Sequence, residues 1–134
     1  MSLKIVKNYP PNYEQIRKVL EPADGALFTY GDTLYCPTNP ELIDGPIMAH
    51  EEVHSRQQEA MGKDEWWSKY LEDPDFRLSQ ETEAYKVQYK EAKKIIKDRN
   101  VLFDFLRNLA NGLASEMYGG VVGTNEAMSL IKTA

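Results

Sequence analysis

The chain carries two histidines in all, and they stand four residues apart in His50-Glu51-Glu52-Val53-His54. Only a helix makes that spacing useful. Four residues sweep about 400°, so both imidazoles fall on one face, one turn apart. The flanks agree: Asp44-Gly45-Pro46 is a helix start and Gly62 a stop, so the helix is expected to run through Met61. Two imidazoles so placed can bind one Zn²⁺ at about 2.0–2.1 Å. Glu51 lies about 100° round the axis from His50 and about 60° from His54 on the other side. Its carboxylate is therefore expected beside the metal without being forced into the ligand set. From there it can take a proton from a metal-activated water and pass it to a leaving amine.

A catalytic zinc site takes three protein ligands and keeps one position open. No histidine remains, so the third ligand is expected to be a carboxylate from Glu81-Thr82-Glu83-Ala84-Tyr85. This stretch sits on a long charged helix expected from Asp73-Pro74 to about Lys97, with Leu78, Val87, Ile95 and Ile96 as its apolar stripe. Glu81 and Glu83 are about 200° apart around the axis, so only one can face the metal. A di-iron carboxylate site is excluded, because it needs a second Glu-x-x-His.

The remainder reads as one α+β domain over residues 1–134, a length that buries a sizeable core without staples. Leu3 to Val6 is expected as an edge strand and Tyr13 to Leu20 as a helix capped by Asn12. Ala26 to Tyr30 and Thr33 to Cys36 flank Gly31-Asp32 and read as a hairpin with a type II′ turn. The expected sheet is small and antiparallel, packed on a mainly helical body. Further helices are expected at Asp64 to Leu71, at Val101 to Asn111 ended by Gly112, and near Asn125 to Ile131. Sixteen basic residues against 21 acidic ones give a net charge of −5, which leaves no phosphate-neutralising excess and argues against nucleic acid as partner. No apolar run reaches the length of a membrane span, and Met1-Ser2-Leu3-Lys4 is not expected to open a signal peptide. With a single cysteine, Cys36, expected to be buried and inert, the setting is expected to be cytoplasmic.

His50-Glu51-x-x-His54 followed by Glu81-x-x-Ala84 resembles the gluzincin metallopeptidases, over about residues 26 to 86. It is most similar in economy to the minigluzincins, which keep a small sheet, a zinc helix and a glutamate helix. The resemblance implies a zinc-dependent peptidase with His50, His54 and Glu81 as ligands and Glu51 as general base and then acid. Tyr85 stands where the family often has an aspartate that orients a ligand histidine, and its hydroxyl can take that part. The resemblance also implies that an edge strand before the zinc helix holds a peptide or protein substrate by backbone pairing; a hairpin that merely covers the core is the plainer alternative. The oxyanion donor is expected to be Tyr118, with Arg77, Tyr85 and Tyr35 as other candidates. Trp66 and Trp67 are candidates for the cleft wall or the core.

Two further readings share the same residues. One is a non-catalytic interaction protein that keeps zinc as a clamp between two helices; the other is hydrolysis of a non-peptide amide. Because neutral imidazoles are needed, zinc is expected to leave on acidification through the ordinary histidine range, roughly pH 6.

Overall fold

The computed structural model describes residues 3–115 and 122–132. Three short strands, β1 (Lys4–Val6), β2 (Phe28–Tyr30) and β3 (Thr33–Tyr35), lie beside helices α1 (Tyr13–Val19), α2 (Gly45–Met61), α3 (Lys63–Glu72), α4 (Pro74–Ile95), α5 (Arg99–Leu113) and α6 (Thr124–Lys132). The architecture is α+β.

Three helices, α2, α4 and α5, begin where an aspartate satisfies unpaired amides of the first turn. Asp44 accepts from the Ile47 N–H at 2.8 Å, and Asp73 from Asp75 and Phe76 at 3.0 and 3.2 Å. Asp98 does the same for Asn100 and Val101 at 2.9 and 3.0 Å. Pro46 and Pro74 sit in the first turns they open, where no amide hydrogen is missed. α2 stops at Gly62, whose φ of 100° is a conformation side chains oppose. Asn12 departs from expectation: it makes no side-chain cap on α1, and its amide atoms are buried without a partner among the described residues. Gly112 does not end α5, which continues to Leu113. A Cβ at Gly112 would lie 3.1 Å from the Tyr85 hydroxyl oxygen, so the missing side chain lets α5 approach α4.

The sheet corrects the antiparallel expectation, because it is mixed, in the order β1-β3-β2. β2 and β3 form the hairpin, with Tyr30 opposite Thr33 and Gly31 at a φ of 66°, as a type II′ turn requires. β1, however, runs parallel to β3 with Ile5 opposite Leu34. The chain leaves β1 and turns through α1 before the hairpin begins, so β1 joins the far side of β3 and points the same way. β2 is thereby left as the edge that meets α2. Ile16, Phe28, Trp66, Leu106, Leu113 and Ile131 belong to the core that joins sheet and helices.

Candidate metal centre

α2 and α4 pack side by side and bring three potential ligands together. His50 Nε2 lies 3.0 Å from Glu81 Oε1, and His54 Nε2 lies 3.1 Å from the same oxygen. All three side chains are buried, and their ligand atoms lie within 4.8 Å of one another. Ligand atoms at tetrahedral angles around a shared zinc are about 3.3 Å apart, so the donor set and its spacing suit a small metal ion. The carboxylate that faces the histidines is Glu81, and Glu83 is exposed.

Two of the three potential ligands, His54 and Glu81, are aimed by a neighbour. The Gln57 amide nitrogen donates to the Gln80 carbonyl at 3.1 Å and to Glu83 Oε1 at 2.8 Å, two acceptors that fix the amide's orientation. Its carbonyl oxygen must then face His54 Nδ1, at 2.9 Å, and accept that proton. The lone pair of a neutral His54 is thus placed on Nε2, towards the metal position. The Tyr70 hydroxyl donates to Glu81 Oε2 at 2.5 Å, leaving Oε1 for the histidines. Trp66 lies against the His54 ring, with centroids 5.3 Å apart.

The electrostatics of the metal-free centre follow from this geometry. Burial opposes a charge on His54, but the Glu81 carboxylate outweighs burial and lifts the pKa from 6.5 to about 9. Burial likewise opposes ionisation of Glu81, yet the two histidines hold it well below the usual carboxylate range. Burial, and then the Glu81 charge, push Tyr70 well above its ordinary value, so its hydroxyl stays a proton donor.

Glu51 stands beside the triad rather than in it. The Thr29 hydroxyl on β2 donates to Glu51 Oε1 at 2.9 Å, and Glu51 Oε2 lies 3.9 Å from His50 Nε2. β2 is stitched to α2 elsewhere as well, and also to α3 through Trp67. The Thr29 carbonyl accepts from Gln58 Nε2 at 2.8 Å and Trp67 Nε1 at 3.0 Å. The Gly31 N–H donates to Gln58 Oε1, and the Gly31 carbonyl accepts from Ser55, both at 2.7 Å. From the Thr29 carbonyl to Gly31 this strand edge is therefore taken by helix side chains. Any backbone pairing of the kind expected for a substrate would be limited to the part of the edge before it.

A cleft of about 400 Å³ opens on the triad. Ile16, Leu20, Ala26, Leu27 and Leu109 supply much of its apolar wall, and His50, Glu51, His54 and Glu81 its reactive side. Trp66 and Trp67 serve both expected roles, since they are buried in the core and also line the cleft. Tyr85 meets His50 with its ring, at 4.7 Å between centroids, while His50 Nδ1 has no hydrogen-bond partner among the described residues. The hydroxyl contact expected of Tyr85 is thus not made to that nitrogen. Arg77 is buried and engaged at the end of α3, donating to the Tyr70 and Leu71 carbonyls at 2.8 and 3.2 Å. Tyr35 and Cys36 do not line the cleft, and Cys36 is buried as a free thiol. Tyr118 lies outside the described residues.

Thr29, Gln57, Gln58 and Tyr70 were not among the expected site residues. Tyr70 carried a usable signal: it is four residues after Trp66, so the two share a face of α3. Gln57 follows His54 at the spacing of one helical turn, where its amide can reach the imidazole. Thr29 had no such signal, because its tie to Glu51 spans 22 residues.

No helix among the described residues is long and apolar enough to cross a membrane. Comparison with known protein families, with curated proteins and with solved structures finds no match to this chain.

Proposed function

We propose that this chain is a small zinc-dependent peptidase of gluzincin type. The observation that carries the reading is Glu51, a buried carboxylate held by Thr29 beside the three ligand atoms yet outside their set. A site built only to clamp two helices has no use for it. Two imidazole nitrogens and one carboxylate oxygen are donors that zinc accepts readily. A bound Zn²⁺ supplies Lewis acidity, polarising the scissile carbonyl and making water acidic enough to attack at neutral pH.

The chain's own residues do the rest. His50, His54 and Glu81 hold the ion, while Gln57 and Tyr70 keep His54 and Glu81 aimed at it. Glu51 uses Oε2, the oxygen not taken by Thr29, to accept a proton from the attacking water. It returns that proton to the leaving nitrogen as the carbon–nitrogen bond breaks. The apolar cleft receives the peptide or protein substrate. The cytoplasm, where Cys36 stays reduced, is the compartment we assign to this activity.

A second reading is a non-catalytic scaffold whose zinc pins α2 to α4. It is favoured by the burial of all three ligands between helices that already pack together. Glu51→Gln separates the two, because it keeps shape and hydrogen bonding but removes the base. The expected outcome is unchanged zinc content by elemental mass spectrometry and a fall of about 10²–10⁴ in zinc-dependent cleavage of a peptide library. Cleavage undiminished in Glu51→Gln overturns the role of Glu51; zinc enclosed by four protein ligands in the wild type overturns the peptidase.

A further inference from the structure

The buried face of α4 is formed by Arg77, Glu81, Ala84, Gln88 and Ala92. Glu81, Tyr85 and Gln88 stand at i, i+4 and i+7 and line the same cleft. Several buried polar side chains around the centre are satisfied in named ways: Thr29 by Glu51, Tyr70 by Glu81, Gln58 by β2. Gln88 differs from these. It lines the cleft, is 8% exposed, and makes no side-chain hydrogen bond among the described residues. Unlike the Asn12 amide, its amide is not sealed from solvent, and on a cleft wall it meets whatever enters. A ligand that fills the cleft takes that solvent away and must replace its hydrogen bonds.

We propose that Gln88 is a specificity-determining residue that pairs with an amide of the substrate while an apolar side chain of that substrate fills the cleft. A glutamine amide offers both a carbonyl acceptor and N–H donors. A peptide or carboxamide group answers both at once. A carboxylate answers only the donors and is opposed by the Glu81 carboxylate of the same cleft. Seven residues of helix carry Gln88 about 10 Å along the axis from Glu81. That is roughly three residues of extended chain at about 3.3 Å each. The amide read by Gln88 therefore belongs to a residue near the scissile bond but not to the bond itself. A cleft of about 400 Å³ admits one short apolar segment.

The identification of that amide as part of a peptide rests on the peptidase reading; the recognition itself is testable without it. Two probes share one carbon frame: 4-methylpentanamide and its methyl ketone, 5-methylhexan-2-one, which keeps the carbonyl and lacks the N–H donors. Their affinities for the metal-free full chain are read by NMR titration, for the wild type, Gln88→Leu and Gln88→Met. Melting curves accompany each variant, and Gln88→Met, the closer match in length, carries the test if Gln88→Leu does not fold.

In the wild type the amide should bind about 3- to 10-fold more tightly than the ketone, the range one added net hydrogen bond confers. In the variants that preference should disappear while the ketone binds at least as well. Equal affinities in the wild type, a preference that survives substitution, or no binding of either probe in the cleft each overturn the proposal. Amide selectivity without zinc-dependent cleavage keeps Gln88 as a recognition residue and removes the peptidase; cleavage without amide selectivity does the reverse.

Discussion

Thr29, in the middle of β2, donates its hydroxyl to Glu51 Oε1 on α2 at 2.9 Å, and both side chains are buried. One bond thus couples the sheet edge to the proposed base. It fixes which carboxylate oxygen faces His50 and which is spent on orientation. Gln58 and Trp67 hold the Thr29 carbonyl at the same time, so the strand cannot slide without releasing Glu51.

Thr29→Val keeps the branched shape and removes the hydroxyl. Zinc content should stay at the wild-type level, since no ligand is touched. Cleavage should fall about 10- to 100-fold, because a base that rotates freely is misplaced for most of the time. Steady-state assays beside a zinc determination check this. Unchanged cleavage would mean that Glu51 is oriented by something else.

Tyr70→Phe removes the hydroxyl that holds Glu81 Oε2. Zinc affinity should weaken about 10- to 100-fold, the usual cost of losing a partner behind a metal ligand. A competition titration against a chromophoric chelator measures it. Glu81→Ala should weaken binding far more, as it deletes the ligand.

Gln57 and Glu83 form the other support. Gln57→Leu leaves His54 Nδ1 without its acceptor and should weaken zinc binding by about tenfold or more. Glu83→Ala should change it little, because Glu83 is exposed and acts only through Gln57, whose amide also holds the Gln80 carbonyl. Should the same titration rank Glu83→Ala above Gln57→Leu, the support attributed to Gln57 is wrong.

The raised pKa of His54 changes the expected pH response. In the metal-free protein its contribution to stability is complete below the ordinary value of 6.5 and is lost as pH rises through about 9. Glu81 acts oppositely: its contribution is present above its ordinary 4.5 and is lost as pH falls below that. Metal-free wild type should therefore lose more melting temperature than His54→Gln between pH 6.5 and 9. Zinc competes with the same proton, so binding at pH 7.5 should release about one proton per ion, read by calorimetry in buffers of different ionisation enthalpy. Competition then begins near pH 9, not near the pH 6 of an ordinary histidine. No proton release at pH 7.5 would rule out a charged His54 in the metal-free centre.

α4 shows where sequence patterning misled. Leu78, Val87, Ile95 and Ile96 were expected as its apolar stripe, yet Ile95 is 66% exposed. The buried positions are Arg77, Glu81, Ala84, Gln88, Tyr89 and Ala92. A hydrophobic stripe identifies the inner face only when that face is apolar. Here it carries the proposed ligand Glu81, a side chain that holds α3, and two alanines small enough for close approach. α2 is similar, since His50, Glu51, His54, Ser55 and Gln58 are among its buried residues.

What the sequence determined by itself is local. Asp44, Asp73 and Asp98 start helices because each reaches an amide two or three residues on, and Gly31 sets the hairpin because one φ must be positive. The spacing of His50 and His54 puts them on one face for the same short-range reason. Tertiary structure decided the rest: that Glu81 and not Glu83 faces the histidines, that Tyr70 and Thr29 aim Glu81 and Glu51, and that β1 runs parallel to β3. These depend on how α4 is rotated against α2 and on where the chain re-enters the sheet after α1. Both are set by packing between residues far apart in sequence, which no short window of residues encodes.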